Sequence, residues 1–482
     1  MSQTDRRGFL KTSALTAAAL SLPARSWARI TGANDDIRVA VLGLNGRGKD
    51  HIRGFTAVPG VRVVALCDPD SAILEASVKA LKEKGQEVQG FIDLRKLFES
   101  KDVDVVSIAT PNHWHSLAAI WAIQAGKDVY VEKPVSHNVS EGRRLVEVAR
   151  KHKKVVQAGC QSRSSITGIT EAVAWVKAGN LGKIKVARGL CYKRRDTIGK
   201  AEGQQPIPAE IDYDLWCGPA LKLPLTRTRL HYDWHWVWNT GNGDLGNQGI
   251  HEMDVARWFL GQDKLSSRVF SVGGRLGYID DGETPNTQII YHDYPGGAPL
   301  IFEVRGLPSA PGAKQMDQYK GADIGIVIEC EGGWVTVPSY ASATAYDTGG
   351  KEVTTFKGSE SHYGNFIKAV RSRNVADLNA DILEGHLSSA LCHTGNISYR
   401  LGLRVPPAKV REQIKGNKDT AEAFERMAEH LGVNGVDIAK DKLTLGLMLK
   451  MDPKTERFVG HAKANQLLTR PYRSGFAVPS KA

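Results

Sequence analysis

The sequence predicts an α/β domain built on a parallel sheet, followed by an α+β domain built on a large, mostly antiparallel open sheet. Three observations carry that reading. From Ile37 to Ala158, short apolar runs alternate with amphipathic stretches, the pattern of a parallel sheet with helices on both faces. Beyond Gly159, strand-like runs follow one another directly, as they do in antiparallel sheets. The chain has 482 residues, 41% of them hydrophobic, enough to supply cores for two to three domains.

In order, Ile37–Leu42 reads as a buried strand, Arg47–Ala57 as a helix and Val61–Cys67 as a second strand. Ser71–Lys84 is helical, Val103–Ala109 a strand, His115–Ala125 a helix and Asp128–Glu132 a strand. Ser140–Lys151 and Val155–Ala158 close this first domain, bounded at 34–158, as helix and strand. A second domain over 159–405 follows from strands at Lys185–Tyr192, Arg268–Arg275, Asn286–His292, Leu300–Arg305, Asp323–Glu329 and Trp334–Pro338. Helices at Ile166–Ala178 and Gln248–Leu260 pack against them, and Ser361–Arg373 and Ala380–Gly402 read as two amphipathic helices. Residues 406–482 form a C-terminal extension with a helix over 418–431. Its last stretch carries Phe458, Leu467, Leu468, Tyr472 and Phe476, anchors that a disordered tail lacks. It is expected to dock as an arm on its own chain or on a neighbour.

Ahead of both domains lies TDRRGFLKTSALTAAALSLPARSWA, Thr4–Ala28. A twin arginine (Arg6, Arg7) precedes Phe9-Leu10-Lys11, a mild apolar run reaches Leu22, and Ser26-Trp27-Ala28 offers small residues to a signal peptidase. Address, apolar run and cleavage site occur in that order, so residues 1–28 read as a twin-arginine (Tat) signal peptide, with Asp5 where Ser or Thr is usual. The run is too short to span a bilayer. The protein is therefore expected to be exported to a periplasm, with the Tat machinery as a partner and no stable membrane span.

The formal net charge is +12, but the charges are dispersed and no arginine-rich arm or nucleic-acid reading motif occurs. Nucleic-acid binding is not expected. The six cysteines lie far apart without a Cys-x-x-Cys, against a zinc ribbon or a disulfide scaffold. Tat cargo crosses folded from a reducing compartment, so buried free thiols are expected.

The turn after the first strand reads Gly43-Leu44-Asn45-Gly46-Arg47-Gly48, at the junction of strand, glycine turn and helix start. Gly43 permits the tight turn, and free amides at the helix start face a pyrophosphate. Asn45 replaces the usual middle glycine. Asp68 ends the second strand, where a carboxylate accepts hydrogen bonds from the adenosine ribose and repels a 2′-phosphate. The expected cofactor is NAD, on a Rossmann-type domain.

Two further stretches, Ala109-Thr110-Pro111-Asn112-His113-Trp114-His115 and Glu132-Lys133-Pro134, join the glycine turn. Together they resemble the glucose–fructose oxidoreductase / inositol dehydrogenase / MocA (Gfo/Idh/MocA) family, over about residues 36–405. The resemblance implies that Thr110, Asn112, His115 and Glu132 line the cofactor and that Lys133 reaches the substrate beside the nicotinamide. His113 and His115 carry little weight as a metal pair, because no third ligand is evident nearby, and no metal is expected.

The richest stretch is HYDWHWVWNTGNGDLGNQGIHEMDVARWFLG, residues 231–261. Its latter half resembles the family's Gly-Gly-x-Leu-x-Asp-x-Gly-x-His-x-x-Asp segment, which places His251 on the catalytic-type histidine and Asp254 on the last aspartate. Asn247 stands where the family has an aspartate four residues before that histidine. An amide can orient and hydrogen-bond but cannot take a proton; Asp244 and Asp233 are the carboxylates that could compensate. Trp234, His235 and Trp236 crowd upstream; aromatic faces pack on sugar C–H faces, so these with Asp244 and Asp254 form the expected carbohydrate pocket.

The expected function is NAD(H)-dependent oxidation or reduction at a secondary hydroxyl of a sugar, sugar derivative or cyclitol. His251 serves as general base, Lys133 stabilises the alkoxide or shares the proton, and Asn247 positions the hydroxyl. Outside the cytoplasm no nicotinamide pool reoxidises the cofactor, so it is expected to be tightly bound and recycled on the enzyme. Two alternatives remain open: a glycoside hydrolase or lyase working by transient oxidation, as in some members of the family, and a non-catalytic sugar-binding protein. The family's second domain often forms an oligomer interface, so a homo-oligomer, dimer or tetramer, is expected.

Overall fold

The structure, a computed structural model, describes residues 36–482; the signal-peptide reading falls on residues outside that range. The first domain is a six-stranded sheet in the order β3-β2-β1-β4-β5-β6, parallel at every pairing. Its strands are β1 (Ile37–Leu42), β2 (Val61–Cys67), β3 (Gln89–Phe91), β4 (Val105–Ile108), β5 (Asp128–Val131) and β6 (Val156–Ala158). Both faces are covered, so the central strands read as unbroken apolar runs: β4 and β5 are buried at every position. The strand order reverses across β1 and β4, which opens a crevice at their carboxyl ends for a ligand. Strand β3 and the helix Leu94–Phe98 were not expected from sequence; at three and five residues they are too short to show a period.

The second domain is a twelve-stranded, mostly antiparallel mixed sheet. Its strands in chain order are β7 (Ile184–Tyr192), β8 (Arg268–Gly274), β9 (Thr287–Asp293), β10 (Leu300–Arg305), β11 (Ile324–Cys330), β12 (Gly333–Val337), β13 (Ser342–Asp347), β14 (Glu352–Lys357), β15 (Leu403–Val405), β16 (Leu443–Leu445), β17 (Leu449–Asp452) and β18 (Arg457–Phe458). The main path runs β14-β13-β12-β11-β7-β10-β9-β8-β16-β15, and only β7 with β10 pairs in parallel along it. Strand β17 pairs with β8 and with β18. Strands β13 to β18 were not foreseen.

The helices Gly249–Phe259 and Ile382–Arg400 pack one face of this sheet into a continuous core with Ile290, Phe302 and Ile328. The opposite face of the central strands is covered by the chain's own C-terminal segment: Val410, Phe424, Met427 and Leu431 lie against Val272, Ile289 and Ile301. Farther on, Phe476 docks on the first domain, edge-on to Trp114 at 5.7 Å between ring centres. All six cysteines are free and buried.

Candidate active site

The glycine turn is built for close approach. Gly43 has φ +81°, and a Cβ there would lie 2.6 Å from the Ala109 and Thr110 backbone; one at Gly48 would lie 1.9 Å from the Gly43 carbonyl oxygen. The end of β2 holds the turn in place. The Leu44 amide donates to Asp68 Oδ2 at 2.8 Å, and the Asp70 amide to Asp68 Oδ1 at 3.0 Å. Burial pushes the Asp68 carboxyl up, and these two amides oppose that. Gly46 faces open space. Nearby, Thr110 Oγ1 and Asn112 Oδ1 are buried without a partner in the protein, two polar atoms whose burial is costly unless a ligand meets them. Crevice, turn and orphaned acceptors fit a dinucleotide.

Glu132 closes the far side. Its carboxylate accepts from Arg47 Nε at 3.0 Å and lies 3.1 Å from His51 Nε2, tying the helix after the glycine turn to the end of β5. Burial alone would raise this carboxyl; the His51 hydrogen bond and the Arg47 and Lys133 charges outweigh it and hold the group well below the usual range. His115 is fastened to backbone: Nδ1 lies 2.6 Å from the Pro134 carbonyl and Nε2 2.8 Å from that of Thr110. It clamps the two motif turns together.

One cavity of about 470 Å³ runs from this turn into the second domain, a size that suits an enclosed organic ligand. Lys133, Asn247, Gln248 and His251 line it beside Lys193 and Tyr340, and the loop residues His231, Trp234 and His235 form its outer wall. Lys133 Nζ donates to the Asn247 carbonyl oxygen at 2.8 Å. Asn247 therefore holds the lysine through its main chain. Enclosure lowers the Lys133 ammonium, opposed by the Glu132 charge and reinforced by Arg47. The His251 ring lies 4.7 Å from that of Tyr340, and burial, aided by the Lys133 charge, pushes it down to about 3, so it stands as a neutral imidazole.

Three of the expected substrate contacts do not reach this cavity. Asp244 is 1% exposed and bound by Arg195 through both oxygens at 2.7 Å. Asp254 is bound by Arg163 at 2.8 and 2.9 Å and by Ser388. Trp236 is buried beneath the Arg195 guanidinium, 5.0 Å away. Each carboxylate is neutralised inside the core, where an unpaired charge would be too costly. Asp233, too, is taken up by Arg229, so neither aspartate stands in for a carboxylate at Asn247.

Sequence reasoning missed Lys193, Gln248 and Tyr340. Lys193 Nζ donates to Gln248 Oε1 at 2.9 Å, and Gln248 Nε2 donates to Glu252 Oε1 at 3.0 Å and to the Tyr340 hydroxyl at 3.1 Å. Glu252 Oε2 has no partner, and burial raises this carboxyl to about 8 against the Gln248 hydrogen bond. Native Glu252 thus keeps a proton that the unfolded chain releases above about pH 4.5. Stability should fall as pH rises from there to about 8 and level off above, by on the order of a few kcal/mol. Melting curves of wild type and Glu252→Gln between pH 5 and 8 check this: the variant should lose much of the slope, and parallel curves would refute a buried neutral acid.

The loop between β7 and the helix Gly243–Asn247 crosses to the first domain and fastens there. The Ser71 amide donates to the Glu210 carbonyl and the Asp212 amide to that of Pro69, both at 2.9 Å, and His231 Nε2 lies 3.0 Å from Asp70 Oδ2. Trp114 Nε1 donates to the Leu215 carbonyl at 2.9 Å.

Comparison with known proteins agrees with this arrangement. Residues 37–160 match the NAD-binding Rossmann-fold domain of an oxidoreductase family, GFO_IDH_MocA, and residues 165–307 match its C-terminal α/β domain. A glycosyl hydrolase family 109 protein of Shewanella sp. strain ANA-3 is 34% identical over 188 residues, covering 34% of this chain and 40% of that one. An inositol 2-dehydrogenase of Salmonella typhimurium is 30% identical over 236 residues, covering 48% and 57%. The chain thus spans less than two thirds of either curated relative. Among solved structures, a WlbA dehydrogenase of Bordetella pertussis in complex with NADH and UDP-GlcNAcA superposes with TM-score 0.54 at 20% identity, covering 74% and 94%. A levoglucosan dehydrogenase in complex with NADH and levoglucosan gives 0.56 at 17%, covering 74% and 95%. With its NAD-binding Rossmann domain and the matched domain that follows, the chain belongs to the Gfo/Idh/MocA oxidoreductase family.

Proposed function

We propose that the protein is an NAD(H)-dependent oxidoreductase acting on a secondary hydroxyl of a sugar, sugar derivative or cyclitol, with the cofactor held and recycled. The observation that carries this is the shared cavity: Lys133 and His251 line the same space as the glycine turn. Gly43 to Gly48, Asp68, Thr110 and Asn112 would hold the dinucleotide, which supplies a hydride acceptor. The neutral His251 imidazole takes the hydroxyl proton on a ring nitrogen. Lys133, fixed on the Asn247 carbonyl, places its charge where the alkoxide develops. The inositol dehydrogenase relative supports a polyol substrate.

A second reading is favoured by the glycosyl hydrolase relative: transient oxidation, elimination of the glycosidic substituent, then re-reduction. The same two residues serve it. Release of nitrophenol from an aryl glycoside without accumulation of NADH would select this reading over a net oxidation.

Export through residues 1–28 belongs to the proposal, because Tat cargo travels folded and can carry NAD with it. The test is to denature protein taken from the exported fraction, with no nucleotide added, and quantify NAD(H) in the supernatant. About one nucleotide per chain supports a redox cycle that closes on the enzyme. No nucleotide, and no binding when NAD is supplied, overturns the oxidoreductase reading in favour of a sugar-binding protein.

A further inference from the structure

The first domain lines the cavity with carboxylates and with the cations Arg47 and Lys133, the second with Lys193. The carboxylates, Asp68, Asp93 and Glu132, are all engaged: Asp68 by two backbone amides, Asp93 by Arg95, and Glu132 by Arg47 and His51. On the wall from the second domain, Lys193 is a cation with no ion-pair partner among the described residues. Its two neighbours differ. Arg194 pairs with Asp196 and Arg195 with Asp244, so in the run Lys193-Arg194-Arg195 the residue that lines the cavity is the unpaired one.

Lys193 is also held in position. The ammonium's one hydrogen bond among the described residues, to Gln248 Oε1, is fixed from behind, since the Gln248 amide is bound to both Glu252 and Tyr340. Two of its three ammonium hydrogens remain free. A lysine that merely solvates itself needs no such bracing, whereas a receptor for an anion does, because an ordered donor loses less entropy on binding.

We propose that the substrate carries a carboxylate and that Lys193 receives it, so that the protein acts on a sugar acid of the uronate type in preference to the neutral sugar. This rests on the oxidoreductase reading above and adds the substrate class. Lys193 then determines specificity, while Lys133, near enough to feel its charge, remains with the reacting hydroxyl. An ammonium–carboxylate hydrogen bond in a partly enclosed site favours the acid by about tenfold or more.

The test uses the full-length, NAD-loaded protein and calorimetric titration with three pairs of probes: glucuronate and glucose, galacturonate and galactose, mannuronate and mannose. At least one acid should bind about tenfold tighter than its parent. Lys193→Gln should abolish that preference, and Lys193→Arg should retain most of it. No pair showing an acid preference, or a preference that survives in Lys193→Gln, overturns the proposal. Extraction of NAD from the same sample separates the two levels: nucleotide present without acid preference refutes the uronate assignment alone, and nucleotide neither present nor bound refutes the reading beneath it.

Discussion

Replacing Lys133 by alanine should lower turnover by about two to four orders of magnitude, and His251→Ala should do the same. In the proposed reaction the two residues act on one proton and one developing charge, so the double variant should lose little more than the worse single one. Among the described residues the Lys133 ammonium hydrogen-bonds only to the Asn247 carbonyl, so its loss leaves the glycine turn and the Asp68 contacts intact, and NAD should stay bound. Single-turnover formation of NADH at saturating substrate, alongside extraction of the cofactor, separates lost chemistry from lost binding. Wild-type turnover in both alanine variants would remove these residues from the reaction.

Phe424→Ala should destabilise the protein by about 3–5 kcal/mol, the usual effect of deleting a fully buried aromatic ring. Phe424 is 0% exposed and sits at the centre of the helix Lys418–Val433, against the sheet face that carries Phe270, Val272, Ile289 and Ile301. A loss of that size is a large part of the stability of an ordinary domain. Thermal melting of the NAD-loaded protein gives the answer, and a midpoint unchanged within about a degree would mean that this helix does not stabilise the sheet. The helix also covers the sheet face over β8, β9 and β10, which removes that part of the face from contact with a second copy.

Legibility in the sequence followed the range of the interactions. The first domain could be read nearly strand by strand, because each strand is a local apolar run and each motif turn joins one strand to the helix that follows. Gly43 and Asp68 were legible as parts of one strand–turn–helix pattern, whereas Lys133 and His251 were singled out by the resemblance to the family; the structure sets all four on one cavity. Lys193, Gln248 and Tyr340 escaped because they come from the end of β7, a helix junction and the loop after β12, and only sheet packing brings them together. Asp244 and Asp254 misled in the opposite direction. Each looks like a free carboxylate beside a catalytic-type histidine, yet Arg195 and Arg163, 49 and 91 residues away in the chain, neutralise them. The strands of the C-terminal segment, two to four residues each, are too short to show alternation.

The loop that crosses from the second domain to the end of β2 has a kinetic consequence. Its backbone bonds at Pro69 and Ser71, and the His231 contact with Asp70, lie one to three residues from the carboxylate expected to meet the adenosine ribose. A dinucleotide on Asp68 would lie beside these contacts, and opening them to let it leave would slow dissociation more than they strengthen binding. Under the proposed exported, self-recycling cycle, the length of time one molecule stays bound matters more than the equilibrium constant, and this strap would set it.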